Sequence, residues 1–213
     1  MPNGSSSPGA RPLISRTKAV PYRVTGLENF YAADGEPLPV KPVMALCSCG
    51  ASKQKPFCDG SHGEASHSPE RSPERVPDRV VCYEGAEITI VDNRGVCSHD
   101  GSCLLLHRVF DRRKKRWINP NGASKNDIIE TIEQCPSGSL SYMENGVRIQ
   151  DVDRAPAIRA AKNGPLNVEG GVVFEDVHGC SPECKEHYAL CRCGGSKNKP
   201  FCDGTHLHNG FAG

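Results

Sequence analysis

Residues 47–62 read Cys47-Ser-Cys49-Gly-Ala-Ser52-Lys-Gln-Lys-Pro56-Phe57-Cys58-Asp59-Gly60-Ser61-His62. Residues 191–206 repeat this stretch as Cys191-Arg-Cys193-Gly-Gly-Ser196-Lys-Asn-Lys-Pro200-Phe201-Cys202-Asp203-Gly204-Thr205-His206. Both copies follow the pattern C-x-C-x8-C-x3-H and share most of their spacer residues. Chance does not reproduce four ligand-type residues at identical offsets, so the chain contains an internal repeat. The prediction of the fold starts from this repeat.

Each copy holds a set of metal-ligand side chains. Three thiols and one imidazole within one short stretch are typical of a metal site. The closely spaced C-x-C pair can reach one metal ion, and the Cys-Asp-Gly-x-His end returns a thiolate and an imidazole about one turn later. Four polar residues are predicted to form hydrogen bonds around these ligands: Ser52, Asp59, Ser196 and Asp203.

Both copies resemble the CDGSH iron–sulfur motif, C-x-C-x2-[ST]-x3-P-x-C-D-G-[SAT]-H, without departure. The resemblance implies a [2Fe–2S] cluster in each copy. Cys47 and Cys49 would hold one iron, and Cys58 and His62 the other. The second cluster would have the equivalent ligands Cys191, Cys193, Cys202 and His206. The alternative is structural zinc, which also accepts a Cys3His set but is usually bound through C-x2–4-C spacing.

The middle of the chain carries a second constellation, Cys97-Ser-His99-Asp100-Gly-Ser-Cys103, followed by Cys135-Pro136. Bacterial ferredoxins hold clusters with C-x2-C-x2-C and a remote Cys followed by Pro. The stretch from about residue 80 to residue 143 resembles the divergent single-cluster 4Fe–4S domain. That resemblance implies a cluster on Cys97, Cys103 and Cys135.

The fourth ligand of this middle site is open, because Asp100 stands where the ferredoxin pattern has its central thiol. Asp100 or His99 could complete a [4Fe–4S] site. The site could instead hold a [3Fe–4S] cluster, or it could be empty. We favour Asp100 as the fourth ligand because of its position.

Composition narrows the class of protein. The chain has 213 residues, only 6% of them aromatic, with 22 Gly and 17 Pro. These values favour small, loop-rich domains held by metal. A net charge of +1 argues against a general affinity for nucleic acid or membranes. The motif-bound thiols predict a reducing compartment. We expect the cytoplasm, with the mitochondrial matrix as the alternative because the start of the chain is basic and lacks acidic residues.

The predicted fold class is α+β, with small β-rich, metal-stapled CDGSH units and a ferredoxin-like insert. Single-motif members of the CDGSH family form two-fold dimers, so the two copies are expected to pair as a pseudo-dimer. The predicted regions are a disordered tail (1–20), the first CDGSH unit (21–66), a Pro-rich linker (67–78), the ferredoxin-like domain (79–150) and the second CDGSH unit (151–213).

Local patterns predict elements within these regions. Ser124 is a helix N-cap, and Ile128, Ile129 and Ile132 form one apolar face of the helix that follows. Strands are expected near residues 139–143 and 147–149, and a short helix or linker over residues 154–162.

Several cysteines, histidines and basic residues outside the motifs are not expected to form functional sites. Cys82, Cys180 and Cys184 lie outside the motifs and are predicted to be structural or surface thiols. His67, His107, His178, His187 and His208 are predicted to be solvated or capping. The basic run Arg112–Arg116 is expected to form an exposed turn rather than a nucleic-acid site.

The predicted function is one-electron transfer or donation of an intact [2Fe–2S] cluster. The partner would be a redox or cluster-acceptor protein, and neither nucleic acid nor a membrane is expected. The chain is predicted to be a monomer and not an enzyme, since it has no nucleotide-binding glycine fingerprint and no Ser/His/Asp constellation. The alternatives are the iron–sulfur subunit of an oxidoreductase complex and a structural zinc module for protein contacts.

Overall fold

The computed structural model describes residues 11–17, 21–63 and 70–213. These residues form twelve short strands and one α-helix. The strands are β1 (Leu13–Arg16), β2 (Tyr22–Thr25), β3 (Asn29–Tyr31), β4 (Val43–Leu46), β5 (Val80–Glu84), β6 (Thr89–Asn93), β7 (Leu140–Glu144), β8 (Val147–Ile149), β9 (Ala157–Ala160), β10 (Leu166–Glu169), β11 (Val173–Asp176) and β12 (Tyr188–Leu190), and the helix is α1 (Lys125–Glu133). They are arranged in three sheets of four strands each, so the prediction of a β-rich fold is confirmed.

Two of the sheets exchange strands between the repeats. The first sheet has the order β11-β1-β2-β4, and the second has the order β12-β10-β9-β3. β1 pairs in parallel with β11, placing Leu13 opposite Val173, and β3 pairs in parallel with β9, placing Asn29 opposite Ala157. The third strand of each copy therefore lies in the sheet of the other copy, and neither sheet is complete without both copies.

The two sheets share one hydrophobic core. Side chains alternate between buried and accessible along β1, β2 and β4, as expected for strands that are covered on one face. The core contains residues from both copies, among them Ile14, Tyr22, Phe30, Leu46, Ile158, Leu166, Tyr188, Leu190 and Phe201. Either copy alone supplies too few apolar side chains for such a core, which is why the copies pack together.

The third sheet belongs to the middle region and has its own core. Its strands run antiparallel in the order β5-β6-β7-β8. The Ser124 Oγ accepts a hydrogen bond from the Asp127 amide at 3.2 Å, so the predicted N-cap is confirmed. Ile128 and Ile132 face the core of this sheet, and the run Arg112–Arg116 forms an exposed turn as predicted.

Two predictions of local structure are wrong. The predicted disordered tail, residues 1–20, contains strand β1, although residues 1–10 and 18–20 lie outside the described residues. Residues 154–162 form strand β9 with flanking loops, not a helix. Each of these strands pairs with the next strand along the chain on one side and with a distant strand, β11 or β3, on the other. The distant pairing leaves no signal in the local sequence.

The predicted linker, residues 67–78, is described only from residue 70 onward. The Ser72 amide donates to the Lys197 carbonyl at 2.8 Å, and Lys197 Nζ pairs with Glu74 at 2.9 Å. This segment therefore follows the surface of the second CDGSH loop.

The strand exchange makes a testable prediction at Ile14, which is fully buried in the shared core. Ile14→Ala should lower the free energy of unfolding by about 2–4 kcal/mol, because it removes buried methyl groups and leaves a cavity. Denaturant unfolding measures this change. The matched control Ser15→Ala, on the more accessible face of the same strand, should stay within about 0.5 kcal/mol of the unmodified chain. Equal effects of the two substitutions would contradict the placement of β1.

Candidate metal centres

The first CDGSH loop leaves β4 and returns to it, which brings its ligands together. The Cys47 amide donates to the Pro56 carbonyl at 2.9 Å, and the Cys58 amide donates to the Ala45 carbonyl at 2.8 Å. The Sγ atoms of Cys47 and Cys49 are 3.8 Å apart. Two sulfurs bound to one tetrahedral metal ion at about 2.3 Å lie about 3.8 Å apart, so this pair fits one metal ion. Cys58 Sγ lies 3.3 Å from His62 Nδ1.

The second loop repeats this construction. The Cys191 amide donates to the Pro200 carbonyl at 2.8 Å, and the Cys202 amide donates to the Ala189 carbonyl at 2.9 Å. The Sγ atoms of Cys191 and Cys193 are again 3.8 Å apart. The spacing of the C-x-C sulfurs and the chemistry of the donors in both loops therefore suit a metal or iron–sulfur centre, although in the second loop His206 Nδ1 faces the Asn163 carbonyl at 2.9 Å.

The two thiols of the second C-x-C pair differ in pKa. The hydrogen bond between the two thiols, together with burial, raises the pKa of Cys191 well above its usual value. The same bond lowers the pKa of Cys193 to about 6. Burial raises the pKa of Cys202 to about 12, so this thiol needs a nearby positive charge, such as a metal ion, to ionise at neutral pH.

The predicted hydrogen-bonding residues organise the loop backbone. The Asp59 carboxylate accepts from the amides of Lys53 at 2.7 Å and Ser61 at 3.0 Å, and these bonds hold its pKa well below the usual range. The Ser52 Oγ donates to the Phe57 carbonyl at 2.6 Å. Asp203 and Ser196 make the equivalent bonds in the second loop.

Backbone amides also point at the third thiol of each loop. The Gly60 amide lies 3.5 Å from Cys58 Sγ, and the Gly204 amide lies 3.4 Å from Cys202 Sγ. Both glycines have positive φ, 90° and 83°, a conformation that favours glycine. This conformation lets the amide act as a donor to the sulfur.

The two loops touch each other through their C-x-C segments. Cys49 and Cys193 form an antiparallel bridge. Gly50 has a φ of 82°, and a Cβ added there would lie 2.6 Å from the Cys193 carbonyl oxygen. Gly194 meets the Cys49 carbonyl in the same way. Larger residues at these two positions would force the loops apart.

The three cysteines of the middle constellation line one cavity. Its wall contains Arg94, Cys97, Asp100, Cys103, Trp117, Cys135, Ser137 and Ser139. Burial and the neighbouring sulfurs of Cys135 and Cys97 raise the pKa of Cys103 to about 12. Arg94 Nη1 lies 3.7 Å from Cys97 Sγ. Three thiols converging beside one guanidinium form a donor set that suits an anionic cluster.

The structure separates the two predicted candidates for the fourth ligand. Asp100 lines the cysteine cavity, and its Oδ1 accepts from the Ser102 amide at 3.2 Å. The His99 ring instead lies directly against Gly204 in the second CDGSH loop. Asp100 therefore lies at the cysteine cavity, and His99 lies at a contact between the middle domain and the second loop.

A further group, Cys184, Glu186 and His187, was not recognised in the sequence. His187 is only 2% exposed, so the prediction that it is solvated or capping is wrong. Its Nδ1 lies 2.6 Å from Glu186 Oε2 and 3.3 Å from Cys184 Sγ, which resembles a metal-ligand arrangement. In the sequence, the only hint of this group is the Cys184-x2-His187 spacing, which is too common to identify it.

The carboxylate of Glu186 is, however, already occupied. Arg154 binds both of its oxygens, at 2.7 Å and 3.1 Å, and the Gly170 amide donates at 2.8 Å. Cys184 is 1% exposed and packs against Gly138 of the middle domain. We therefore interpret this group as a structural anchor between the middle domain and the second CDGSH unit. Cys82 is exposed and Cys180 is half-buried.

Comparison with known proteins agrees with this geometry. Residues 20–63 and 163–207 match the family described as "Iron-binding zinc finger CDGSH type", and residues 83–145 match the "Divergent 4Fe-4S mono-cluster" family. The protein called "Uncharacterized protein YjdI" is 34% identical over 62 residues in both Escherichia coli K12 and O157:H7. That match covers 29% of this chain and 82% of the relative. No solved structure matches the chain.

Two Cys3His loops and a three-cysteine cavity, together with these matches, define an iron–sulfur-binding protein. The chain belongs to the CDGSH-type iron-binding family and carries a divergent 4Fe-4S mono-cluster domain between its two CDGSH regions. Among the described residues, no helix is long and apolar enough to cross a membrane.

If the Cys184, Glu186 and His187 group is a structural anchor, substitutions in it should change the stability of the protein but not its metal content. Glu186→Gln should lower the free energy of unfolding by about 2–3 kcal/mol, because it weakens charged hydrogen bonds with Arg154. Cys184→Ala and His187→Ala should leave iron and zinc per chain unchanged in elemental analysis. Loss of one metal ion per chain in both variants would show that the group is a metal site.

Proposed function

We propose that this protein transfers single electrons between iron–sulfur clusters within its own chain and to a protein partner. The observation that supports this function is the contact between the middle cysteine loop and the second CDGSH loop. The Ser98 carbonyl lies 3.3 Å from His206 Nε2 and 4.0 Å from Cys202 Sγ. Electron transfer requires close approach of the two centres, whereas independent release of clusters does not.

The proposed ligands are those of the sequence motifs. Cys47, Cys49, Cys58 and His62 would hold one [2Fe–2S] cluster, and a second would be held by Cys191, Cys193, Cys202 and His206. The cavity of Cys97, Cys103 and Cys135 would hold a third cluster, completed by Asp100. When bound, such clusters supply reversible one-electron couples.

The chain itself would tune these couples. A histidine ligand in place of a cysteine removes negative charge from the centre, and this raises the reduction potential. Donors that point at ligand sulfurs act in the same direction, as the amides of Gly60 and Gly204 do. A metal-bound imidazole usually donates its other N–H to an acceptor. Two carbonyls are placed to accept from His206: that of Asn163, 2.9 Å from Nδ1, and that of Ser98, 3.3 Å from Nε2.

We also infer that the two CDGSH units form an internal pseudo-dimer with the middle domain as a ferredoxin-like insert. The reciprocal exchange of β3 and β11 supports this arrangement, because it relates the two copies in the same way in both directions. The predicted domain limits, the monomeric state and the reducing compartment remain predictions. The protein would be a carrier and not itself an enzyme, so any catalytic partner would be a separate chain.

Donation of an intact [2Fe–2S] cluster is the second candidate. It is favoured only at the first loop, where Cys58 and His62 are half-buried and the neighbouring Asp59 and Gly60 are exposed. A structural zinc module is the remaining alternative, since zinc accepts the same donor set.

Elemental analysis tests the proposed cofactors. Anaerobically purified protein should contain about four irons and four sulfides from the two CDGSH sites, and about seven or eight irons with the middle site filled. The double variant Cys97→Ser/Cys103→Ser should lose only the middle contribution. Zinc without sulfide would contradict the redox function and leave a structural module.

The fourth ligand of the middle site can be tested with neighbouring substitutions. Asp100→Cys should alter the EPR spectrum and the midpoint potential of this site, because a thiolate would replace a carboxylate on the cluster. His99→Cys is the matched control and should leave both unchanged, since His99 lies against the second loop. An unaltered spectrum and potential in Asp100→Cys would show that Asp100 is not a ligand.

A further inference from the structure

We propose that the two CDGSH sites have different roles: the middle domain closes the second site as an internal relay, and the first site is the port for exchange with an external protein. This inference rests on the proposed function, because it assumes that both loops hold clusters. It deepens that function by naming which site the partner reaches.

The two loops have nearly the same sequence but different exposure. Cys202 is 2% exposed and His206 is 9% exposed, whereas the equivalent Cys58 and His62 are both half-buried. The difference extends to the spacer residues. Asp59, Gly60 and Gln54 are exposed, while their counterparts in the second loop are half-buried (Asp203) or buried (Gly204 and Asn198). Sequence within the loops does not explain this difference, so its cause lies outside them.

Contacts from residues 95–99 of the middle domain contribute to this difference, together with the Asn163 carbonyl of the second copy, which lies 2.9 Å from His206 Nδ1. Asn198 Nδ2 donates to the Gly95 carbonyl at 2.9 Å. The Ser98 carbonyl contacts both Cys202 and His206. The His99 ring covers Gly204. Together these contacts place the Cys97 loop of the middle site over the third and fourth ligands of the second CDGSH site.

The segment before the middle domain adds to this cover. Ser72 and Glu74 bind Lys197, and Arg71 Nε donates to the Lys199 carbonyl at 3.3 Å. All of these contacts are made with the second copy. The middle domain and the segment of residues 71–74 before it therefore make the exposure of the two loops different, although the sequences of the loops are nearly the same.

Covering the ligands of a site affects electron transfer and exchange with an external protein in opposite ways. A site whose third and fourth ligands are buried against another centre can pass an electron across the contact, but a chelator or an acceptor thiol reaches those two ligands less readily than in the first site. A site with accessible ligands can contact a partner directly. Electrons would therefore move between the middle site and the second loop, and exchange with other proteins would take place at the first loop.

Gly60 and Gly204 provide a matched test of this assignment. Both have positive φ, so substitution by alanine strains both loops to a similar extent. At Gly60 an added Cβ meets no atom within 4 Å among the described residues, whereas at Gly204 it collides with the His99 ring. The difference between the two variants isolates the contact with the middle domain.

The experiment follows cluster loss from the full chain by visible absorbance after addition of an iron chelator. The unmodified protein should lose its CDGSH clusters in two phases that differ at least tenfold in rate. Cys47→Ser/Cys49→Ser should remove the fast phase, and Cys191→Ser/Cys193→Ser the slow one. Gly204→Ala should accelerate the slow phase several-fold more than Gly60→Ala accelerates the fast phase. His99→Ala, which removes the ring that lies against Gly204 and adds no Cβ to the loop, should also accelerate the slow phase.

Electron spin relaxation gives an independent measurement. The reduced second site should relax faster in the unmodified chain than in Cys97→Ser/Cys103→Ser, because a nearby paramagnetic centre has been removed, and the first site should change less. A single loss phase, or equal effects of the two glycine variants, would overturn the inference while leaving the proposed function intact. Absence of iron and sulfide from both loops would instead overturn the proposed function.

Discussion

The parallel pairing of β1 with β11 and of β3 with β9 is the constraint on which the rest of this structure depends. Each pairing joins strands from different copies of the repeat, at opposite ends of the chain. An unpaired strand edge leaves backbone donors and acceptors without partners, so both sheets need the exchange to be complete. The same exchange gathers enough apolar side chains for one core, which neither copy could form by itself.

This framework places the two CDGSH loops back to back. Each loop starts from the last strand of its sheet, β4 or β12, and the C-x-C segments meet at the bridge between Cys49 and Cys193. Tyr22, from the first copy, donates to the carbonyls of Cys191 and Pro200, both at 3.0 Å. The position of the second metal site is therefore determined partly by the first copy.

The middle domain makes this symmetric framework asymmetric. It is connected between the copies, and among the described residues its contacts are with the second loop, through residues 95–99, and with Cys184 just before that loop. The half-buried pair of Glu186 and Arg154 holds the segment around Cys184 within the second unit, and Cys184 in turn packs against Gly138 of the middle domain. These contacts of the middle domain contribute to the low exposure of Cys202 and His206.

The sequence by itself determined the ligand sets, the repeat, the N-cap of α1 and the β-rich class, because these depend on short-range spacing and local capping chemistry. The CDGSH loops are stabilised mainly by bonds within sixteen residues, such as those of Ser52 and Asp59, so their motif is sufficient to recognise them.

Only the tertiary structure decided the pairing of β1, the strand at residues 157–160, the burial of His187 and the different directions of His99 and Asp100. Most of these depend in part on contacts between segments far apart in the chain, such as β1 with β11 and β9 with β3. No periodicity or motif within a short stretch records such contacts. The different exposure of the two nearly identical loops also depends on distant contacts, because the middle domain packs against the second loop.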